Sequence, residues 1–355
     1  MIKIHSAVNL YRLLSPFLLV FCCPGLHAQP ASTHQITAVA FYNFENLFDT
    51  LDDPRKFDEE FTPAGDYHYT GAIYRAKLHN LATVIHQLGR EVTPDGAAII
   101  GTAEIENARV LQDLVAQPEI RSRAYRFVHF ESPDSRGIDV AMLYNPKYFT
   151  VLRARALYTD ISASGEKGGK TRDVLYVTGI LAGDTTHVFV NHWPSRRGGE
   201  AASASLRMLA AKVSRRVIDS LTKKTPATRI LLMGDLNDDP TDPSITQGLG
   251  AKGDIWKIKP GGLYNPWTAF IRKGIGTLGF NDSWSLFDQI MLSSAWLQPD
   301  GRHWKFHKAE IFSRDFLKEN FGRYRGYPHR SFEGTRWING YSDHFPVLVY
   351  LVRPL

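Results

Sequence analysis

The segment Ile230-Leu231-Leu232-Met233-Gly234-Asp235-Leu236-Asn237 joins an apolar run to two polar side chains. A run that is apolar at every position predicts a strand buried on both faces, as occurs inside layered folds. Asp235 and Asn237 follow where this strand ends. Strand ends are where a layered fold gathers functional groups from distant parts of the sequence. We therefore expect a layered fold with a site at this edge.

Polar side chains also stand at the ends of five other apolar runs. They are Asn43, Glu104, His192, Asp288, and the pair Asp343 and His344. Carboxylate and amide oxygens suit a hard cation such as Mg²⁺, while the sequence has no HExxH motif and too few cysteines for a thiolate site, so zinc is less favoured. Each residue alone could cap a turn or fill the core, so the functional indication rests on the whole set.

Apolar, β-rich runs alternate with helical patterns along the chain. Strands are predicted at residues 36–43, 97–101, 125–130, 138–144, 149–158, 172–181, 187–192, 230–234, 287–292 and 345–352. Apolar stripes with helical spacing predict helices at residues 73–88 and 206–221. Because strands outnumber long helices, two sheets packed face to face with helices outside fit better than a simple βαβ array.

Composition excludes several classes of protein. The chain has 355 residues, a formal net charge of +6, 22% charged and 43% hydrophobic residues, which argues against disorder and multiple membrane spans. The mild positive charge does not by itself indicate nucleic acid. The only two cysteines, Cys22 and Cys23, are neighbours, which excludes a disulfide-rich scaffold and a four-cysteine zinc site.

The N-terminus has the pattern of a secretory signal. Lys3 and Arg12 precede an apolar stretch at residues 13–23, and Leu26-His27-Ala28 resembles a cleavage site. We expect residues 1–28 to be a cleavable signal peptide and residues 29–355 to be one exported domain, periplasmic or extracellular. Cleavage would lower the formal charge to +4. A membrane anchor is one alternative, but the stretch is short for a span. A lipoprotein anchor on Cys22 or Cys23 is another, but the bulky Phe21 before Cys22 fits a lipoprotein signal poorly.

Three segments have motifs or charge runs that could indicate a ligand site, but their sequence context does not favour that function. Residues 274–279 match a dinucleotide fingerprint and residues 164–171 resemble a phosphate-binding loop, but both lead into strands rather than helices. We predict a loop at the first and a hairpin turn at the second. The acidic stretch at residues 49–60 is predicted to be a solvated loop, with a separate metal site as the less favoured alternative.

Six short motifs follow one another along the chain. They are FYNFENLFD at 41–49, AEIEN at 103–107, NHWP at 191–194, GDLN at 234–237, FDQI at 287–290 and SDHFP at 342–346. In this order they resemble the endonuclease/exonuclease/phosphatase superfamily, and residues 136–141 and 191–199 are similar to its exported bacterial branch. The resemblance implies an α/β (α+β) fold of the deoxyribonuclease I type. Such a fold is a four-layered sandwich with two mainly antiparallel mixed sheets between helices.

The resemblance also implies roles for the strand-end residues. Glu104 would be the main ligand of Mg²⁺, with Asn43 and Asp343 nearby and Mn²⁺ or Ca²⁺ as alternative ions. His344 would be the general base, oriented by Asp288. Asp235 would share the base role or position the water, while Asn237 and His192 would donate hydrogen bonds to phosphoryl oxygens. Glu106 competes for the ligand role of Glu104, which takes the family's position.

Four arginines are candidate phosphate contacts, because guanidinium groups match phosphate geometry, with surface charge as the alternative. They are Arg136, Arg172, Arg196 and Arg197. The predicted protein is a secreted, monomeric, metal-dependent phosphoesterase with no stable membrane insertion. A nuclease acting on DNA or RNA is the leading choice. A sphingomyelin or phospholipid phosphodiesterase and an inositol or sugar phosphatase are alternatives, as is a catalytically dead binding protein on the same fold.

Overall fold

Two six-stranded sheets face each other in the computed structural model, which describes residues 34–162, 170–298 and 301–355. The first sheet has the order β13-β16-β1-β2-β4-β3. Its strands are β1 (His34–Leu47), β2 (Ile99–Ile105), β3 (Arg126–His129), β4 (Asp139–Tyr144), β13 (Lys305–Ile311) and β16 (Val347–Pro354). Within it only β1 and β2 are parallel neighbours.

The second sheet has the order β5-β6-β7-β8-β12-β9. Its strands are β5 (Phe149–Leu157), β6 (Val174–Leu181), β7 (Asp184–His192), β8 (Arg229–Asp235), β9 (Leu263–Tyr264) and β12 (Asp288–Ser293). Here only β7 and β8 run parallel. Two small hairpins complete the strands: β10 (Leu278–Phe280) with β11 (Ser283–Ser285), and β14 (Phe332–Glu333) with β15 (Arg336–Trp337).

Four α-helices accompany the sheets in the described part of the chain. They are α1 (Gly71–Gln87), α2 (Ala108–Val115), α3 (Glu200–Lys224) and the single turn α4 (Thr268–Ile271). Apolar side chains of α1 and α2 join the core of the first sheet, and those of α3 pack on the second sheet. The layers are therefore helix, sheet, sheet and helix, which confirms the predicted sandwich.

Strand β8 shows why a central strand is apolar on both faces. Leu231 and Met233 belong to the core between the sheets, whereas Ile230 and Leu232 pack in the cluster that contains α3. Alternate side chains point to opposite faces of a strand, so both faces are covered. The sheets approach closely at Gly101, where an added Cβ would lie 2.4 Å from the sulfur of Met233.

The topology brings the polar strand ends together. The parallel pairs β1–β2 and β7–β8 end at the same edges of their sheets, with His192 opposite Asp235 in the register of β7 and β8. Strand β12 is antiparallel to β8, so its first residue, Asp288, lies opposite Asp235. Strand β16 is likewise antiparallel to β1, which puts the chain just before Val347 near the end of β1.

All ten predicted strands and both predicted helices are present, with ends that differ by a few residues. Strand β13 and helix α2 were not predicted, nor were the short strands β9, β10, β11, β14 and β15 and the single turn α4. The glycine-rich loop at residues 274–279 leads into the β10–β11 hairpin and not into a helix, so the dinucleotide fingerprint has no structural support. The phosphate-loop-like segment falls mainly on residues 163–169, outside the described residues. Among the described helices, none is both long and apolar enough to cross a membrane.

Candidate active site

A buried imidazole–carboxylate pair lies at the centre of the site. The Nδ1 atom of His344 is 2.7 Å from the Oδ2 atom of Asp288, and both residues are buried. The other ring nitrogen, Nε2, lies 3.9 Å from Asp235 Oδ2 and 3.8 Å from Asp343 Oδ1. Asp288 therefore fixes the ring so that Nε2 faces the remaining carboxylates, as a histidine base requires.

Asp235 is held in place by two hydrogen bonds. Its Oδ2 accepts from the side-chain amide of Asn43 at 3.0 Å, and its Oδ1 accepts from the backbone N–H of Asn237 at 3.0 Å. Asn237 has a φ of +50°, a left-handed conformation that asparagine tolerates better than most residues. This turn directs the backbone N–H of Asn237 back to the carboxylate, so the GDLN motif is a local device for orienting Asp235.

Burial and neighbouring charges shift the pKa values of this group in different directions. Burial lowers the pKa of His344, but the charges of Asp288, Asp343 and Asp235 and the Asp288 hydrogen bond outweigh it, so the pKa lies well above its usual range. Burial raises the pKa of Asp235 to about 7, against the opposing effect of His344. The pKa of Asp235 therefore lies near neutral pH, whereas the pKa of His344 lies well above the usual histidine range.

His192 faces the same carboxylates from strand β7. Its Nε2 atom lies 3.8 Å from Glu104 Oε1 and 3.8 Å from Asp235 Oδ2. Burial, with the positive charges of Arg172 and Arg136, holds the pKa of His192 well below its usual range, so this imidazole is neutral. A neutral imidazole is a hydrogen-bond donor that adds no charge to the site.

A β-bulge aims Glu104 into the site. The strand does not end at Gly101, as the sequence predicts, but continues to Ile105 with a register shift at Glu104, whose φ is +61°. A bulge turns a side chain away from the regular alternation and is common beside active sites. The Oε2 atom of Glu104 accepts a hydrogen bond from Asn46 N at 2.9 Å, while Oε1 accepts none within the described residues.

The oxygens around Glu104 fit a hard divalent cation. Asn43 Oδ1 accepts one hydrogen bond, from Glu45 N at 2.9 Å, and retains a second lone pair. The carboxylate of Asp343 is partly exposed and accepts no hydrogen bond from the described part of the chain. These oxygen donors belong to the type that Mg²⁺, Mn²⁺ and Ca²⁺ prefer, so the residues present could hold such an ion.

Ser342 joins the two halves of the site and was not predicted to have a role. Its hydroxyl donates to the backbone oxygen of Asn43 at 2.8 Å and accepts from the backbone N–H of His344 at 3.1 Å. It thereby fixes the loop before β16 against the end of β1. The signal in the sequence is its position in the SDHFP motif, where a small hydroxyl residue precedes the aspartate and histidine.

Arg172 differs from the expected phosphate contact. Its side chain is buried, pairs with Asp134 at 3.1 Å, and donates hydrogen bonds to the backbone oxygens of His192 and Trp193. With its donors directed at the protein interior, the guanidinium supports the end of β7 and does not face a substrate. The sequence does not reveal this because Asp134 lies 38 residues away.

The other three arginines differ in how freely they could meet a substrate. Arg196 is engaged by the carboxylates of Glu200, Asp238, Asp239 and Asp242, and its Nε donates to the backbone oxygen of Asn237. Arg136 is exposed, with only a 3.8 Å contact to Asp134, and its charge acts on His192. Arg197 is exposed and forms no ion pair with any described residue. Arg136 and Arg197 therefore remain candidate phosphate contacts. Arg196 instead positions the GDLN turn.

A buried lysine, Lys77, lies near the carboxylates of the site, and the sequence analysis does not predict a role for it. The Nζ of Lys77 donates to Ser331 Oγ at 2.6 Å, and the backbone N–H of Ser331 donates to Glu45 Oε2 at 2.6 Å. Burial lowers the pKa of Lys77, while the charges of Glu45, Asp343 and Glu104 oppose that shift. The signal was available, because Lys77 lies four residues from both Ile73 and Leu81 on the apolar stripe of α1.

The acidic stretch at residues 49–60 is only partly solvated. Asp49 and Asp58 are buried, whereas Asp52 and Glu59 are exposed. Burial raises the pKa of nearby Glu106 to about 8, and its carboxylate accepts a hydrogen bond from the backbone N–H of Asp49. Glu106 therefore belongs to this acidic loop, and the bulge directs Glu104 alone into the site.

The two-sheet fold and its oxygen-rich, histidine-containing site define a class of proteins that hydrolyse phosphoesters. The sequence profile of the Endonuclease/Exonuclease/phosphatase family matches residues 38–353. The chain therefore belongs to the endonuclease/exonuclease/phosphatase family. No curated protein sequence is similar enough to the chain to count as a relative.

Solved structures share the fold at low sequence identity. An endonuclease/exonuclease/phosphatase family protein from Bacteroides thetaiotaomicron is 16% identical, with 91% of this chain and 99% of that chain aligned and a TM-score of 0.53. A mannosyl-6-phosphatase of the same species is 17% identical over 89% and 99%, with a TM-score of 0.53. D. rerio TDP2 in complex with single-strand DNA product is 14% identical over 89% and 98%, with a TM-score of 0.51.

Proposed function

We propose that the protein is an exported, divalent-metal-dependent phosphoesterase that cleaves phosphodiester bonds by in-line attack of water, with nucleic acid as the leading substrate. The observation that carries the proposal is the His344–Asp288 pair, whose free ring nitrogen faces Asp235 and Asp343 beside the oxygen donors of Asn43 and Glu104. A histidine base that is oriented by a carboxylate next to a cation site is what the hydrolysis of a phosphoester needs.

In this mechanism His344 takes the proton of the attacking water at Nε2. Asp288, 2.7 Å from Nδ1, keeps that ring nitrogen protonated and stabilises the imidazolium that forms. Asp235 lies 3.9 Å from the same Nε2, which is a separation that one water bridges, so its carboxylate orients the nucleophile. His192 and Asn237 donate hydrogen bonds where negative charge grows on the phosphoryl oxygens.

Glu104, Asn43 and Asp343 would hold the cation. Bound there, a divalent ion supplies Lewis-acid stabilisation of phosphoryl charge. The chain's own contribution is to bring oxygen donors from three separate segments to the same edge of the sheets. The bulge at Glu104 and the Ser342 bridge between Asn43 and the Asp343 loop perform this task.

Hydrolysis assays with paired carboxylate variants test the mechanism. The purified protein is offered bis(p-nitrophenyl) phosphate, plasmid DNA, RNA, sphingomyelin and inositol phosphates with Mg²⁺, Mn²⁺ or a chelator. We expect Glu104→Gln and His344→Ala each to reduce the rate about 10²–10⁴-fold, because each removes an acid–base or charge-stabilising group. Glu106→Gln is the matched control and keeps activity, since its carboxyl lies outside the site.

The pattern across substrates separates the proposal from its alternatives. Hydrolysis of sphingomyelin or of phosphomonoesters in preference to nucleic acid would replace the nuclease assignment while retaining the mechanism. Full activity in the chelator, or in both the Glu104→Gln and His344→Ala variants, would reject the mechanism itself. Absence of hydrolysis with every substrate and ion would support a binding protein on this fold.

Export is proposed from the leader alone. Lys3, Arg12, the apolar stretch at residues 13–23 and the small residue Ala28 have the order of a cleavable signal. N-terminal sequencing of the protein recovered from the periplasm or medium of an expressing bacterium should begin at Gln29. A product that keeps Met1 and remains in the cytoplasm would contradict export.

A further inference from the structure

A cleft of about 530 Å³ opens directly beside the proposed catalytic residues. Its lining includes Leu278 and Phe280 of the β10–β11 hairpin, together with Phe287, Arg196 and Arg330. Asp343, which the site also contains, lines the cleft as well. Its volume is that of a small-molecule pocket, about 300–1,000 Å³, and so suits one monomer unit of a polymer.

The cleft is continuous with the chemistry through three backbone segments. Phe287 immediately precedes Asp288, and Asp343 immediately precedes His344. Arg196 donates its Nε–H to the backbone oxygen of Asn237 at 2.9 Å. A phosphate bound at the proposed cation site would therefore lie next to the cleft, so the cleft could select the group that is attached to that phosphate.

An exposed aromatic ring forms one wall. Phe280 is 69% exposed although it sits on a defined hairpin, whose turn residues Asn281 and Asp282 have φ values of +47° and +60°. Such left-handed turns give tight two-residue hairpins. The ring of Tyr327 packs on Gly279, where an added Cβ would lie 2.5 Å from it. The hairpin thus fixes the backbone at Phe280 and leaves its ring open to solvent, as a stacking surface would be.

The charged side chains of the cleft indicate which chemical groups could bind there. Arg196 is neutralised by its carboxylate partners and lies 4.6 Å over the ring of Phe287, so it extends the flat wall. Arg330 is exposed and forms no ion pair with the residues that the structure describes, which leaves one cation for a phosphate. Four charged side chains line the cleft, Arg196, Glu200, Arg330 and Asp343, which makes it unsuitable for an acyl chain.

We propose that this cleft is a subsite for an unpaired nucleobase, stacked on Phe280, with Arg330 bound to the adjoining phosphate. This inference rests on the proposed phosphodiesterase function and adds its substrate class, single-stranded nucleic acid. Base–aromatic stacking tolerates any base, because every base has a π-face, so the subsite selects for a base without selecting its identity. In a duplex the bases are paired and stacked on one another, so no base is free to stack on Phe280.

The test compares two oligomers with the same backbone charge. Initial rates are measured for a single-stranded oligothymidylate and for an abasic oligomer of equal length, with bis(p-nitrophenyl) phosphate as a reference substrate. The wild-type protein should have a higher kcat/KM for the oligothymidylate. Phe280→Ala should reduce that kcat/KM by about 5- to 150-fold and leave the abasic oligomer unchanged, since stacking is worth about 1–3 kcal/mol per base. Phe280→Trp should restore the preference.

Phe321→Ala is the matched control, because Phe321 is 85% exposed and does not line the cleft. It should leave both oligomers unchanged. Equal rates for both oligomers in the wild type, or an equal effect of Phe280→Ala on both, would overturn the subsite. The reference substrate separates the two proposals. If neither the reference substrate nor the oligomers are hydrolysed with any divalent ion, the proposed function fails. If these substrates are hydrolysed but the two oligomers have equal rates, only the subsite fails.

Discussion

His344 Nδ1 and Asp288 Oδ2 lie 2.7 Å apart although 56 residues separate them in the chain. Asp288 opens β12 and His344 precedes β16, so the contact joins the two sheets at the edge where their parallel pairs end. Asp288 is completely buried, and its carboxylate keeps a positive imidazole stable in a place where burial alone would discharge it.

The activity should rise with pH through the pKa of His344, because a base acts only when unprotonated. Asp288→Asn removes the charge and the hydrogen bond that raise this pKa. We expect the acidic limb of the kcat/KM profile to move to lower pH and the limiting rate to fall about 10²–10⁴-fold. Rate profiles from pH 5 to 10 measure both effects. An acidic limb that is identical in both proteins would contradict the assignment of His344 as the base.

Glu106 should make folding stability depend on pH. Burial raises its pKa to about 8, so the folded state favours the protonated carboxyl. The protonated Glu106 therefore contributes fully to the free energy of unfolding below the ordinary carboxyl pKa near 4.5, and this contribution is lost as the pH rises through 8. We expect Glu106→Gln to reduce the stability lost between pH 5 and 9 by a few kcal/mol, measured by urea unfolding. Exposed Glu59→Gln is the control, and an unchanged pH dependence in Glu106→Gln would refute the shift.

Lys77→Met should destabilise the fold by roughly 2 to 4 kcal/mol, since it leaves the half-buried Glu45 without a nearby cation and removes the hydrogen bond to Ser331. The double variant Lys77→Met/Glu45→Gln should be more stable than the sum of the single effects predicts, because the uncompensated charge is then gone. Unfolding free energies of the four proteins form the cycle. Additive effects would show that the lysine and glutamate do not interact.

Arg172 and Arg136 should respond differently to substitution. Arg172→Gln leaves Asp134 buried without its guanidinium partner and should lower the unfolding free energy by roughly 2 to 4 kcal/mol. Arg136→Gln should change stability by less than about 0.5 kcal/mol and raise KM, with a weaker dependence of KM on salt. Thermal unfolding and kinetics at two salt concentrations test the pair. A raised KM with unchanged stability in Arg172→Gln would restore the phosphate-contact prediction.

Much of the architecture follows from patterns that act locally. The strands near residues 230–234 and 187–192 were predictable because both their faces are apolar, and the helix at 206–221 because its stripe has helical spacing. The strand Lys305–Ile311 was not, since it lies at the edge of its sheet and has exposed charged residues, so it lacks a continuous apolar run. Short α2 is likewise defined by its cap at Asn107 more than by its length.

The environment of each charged side chain could not be predicted from local sequence patterns. Arg172 appeared equivalent to Arg136 in the sequence, but Asp134 and two backbone oxygens surround it only in the folded protein. Lys77 interrupts an apolar stripe, and nothing near it in the chain shows that Ser331 completes its hydrogen bonding. Whether a charged side chain is buried depends on segments that are distant in sequence, so local patterns do not predict its burial.

The sequence by itself determined the chemical groups at the strand ends, their order, and through that order the family and the two-sheet sandwich. Tertiary structure decided which carboxylate enters the site, because a bulge with φ of +61° directs Glu104 inward while Glu106 is buried beside Asp49. It also placed Phe280 and Arg330 around one cleft. The physical reason is that side-chain direction and electrostatic environment arise from register and packing between distant segments, whereas apolar periodicity is local.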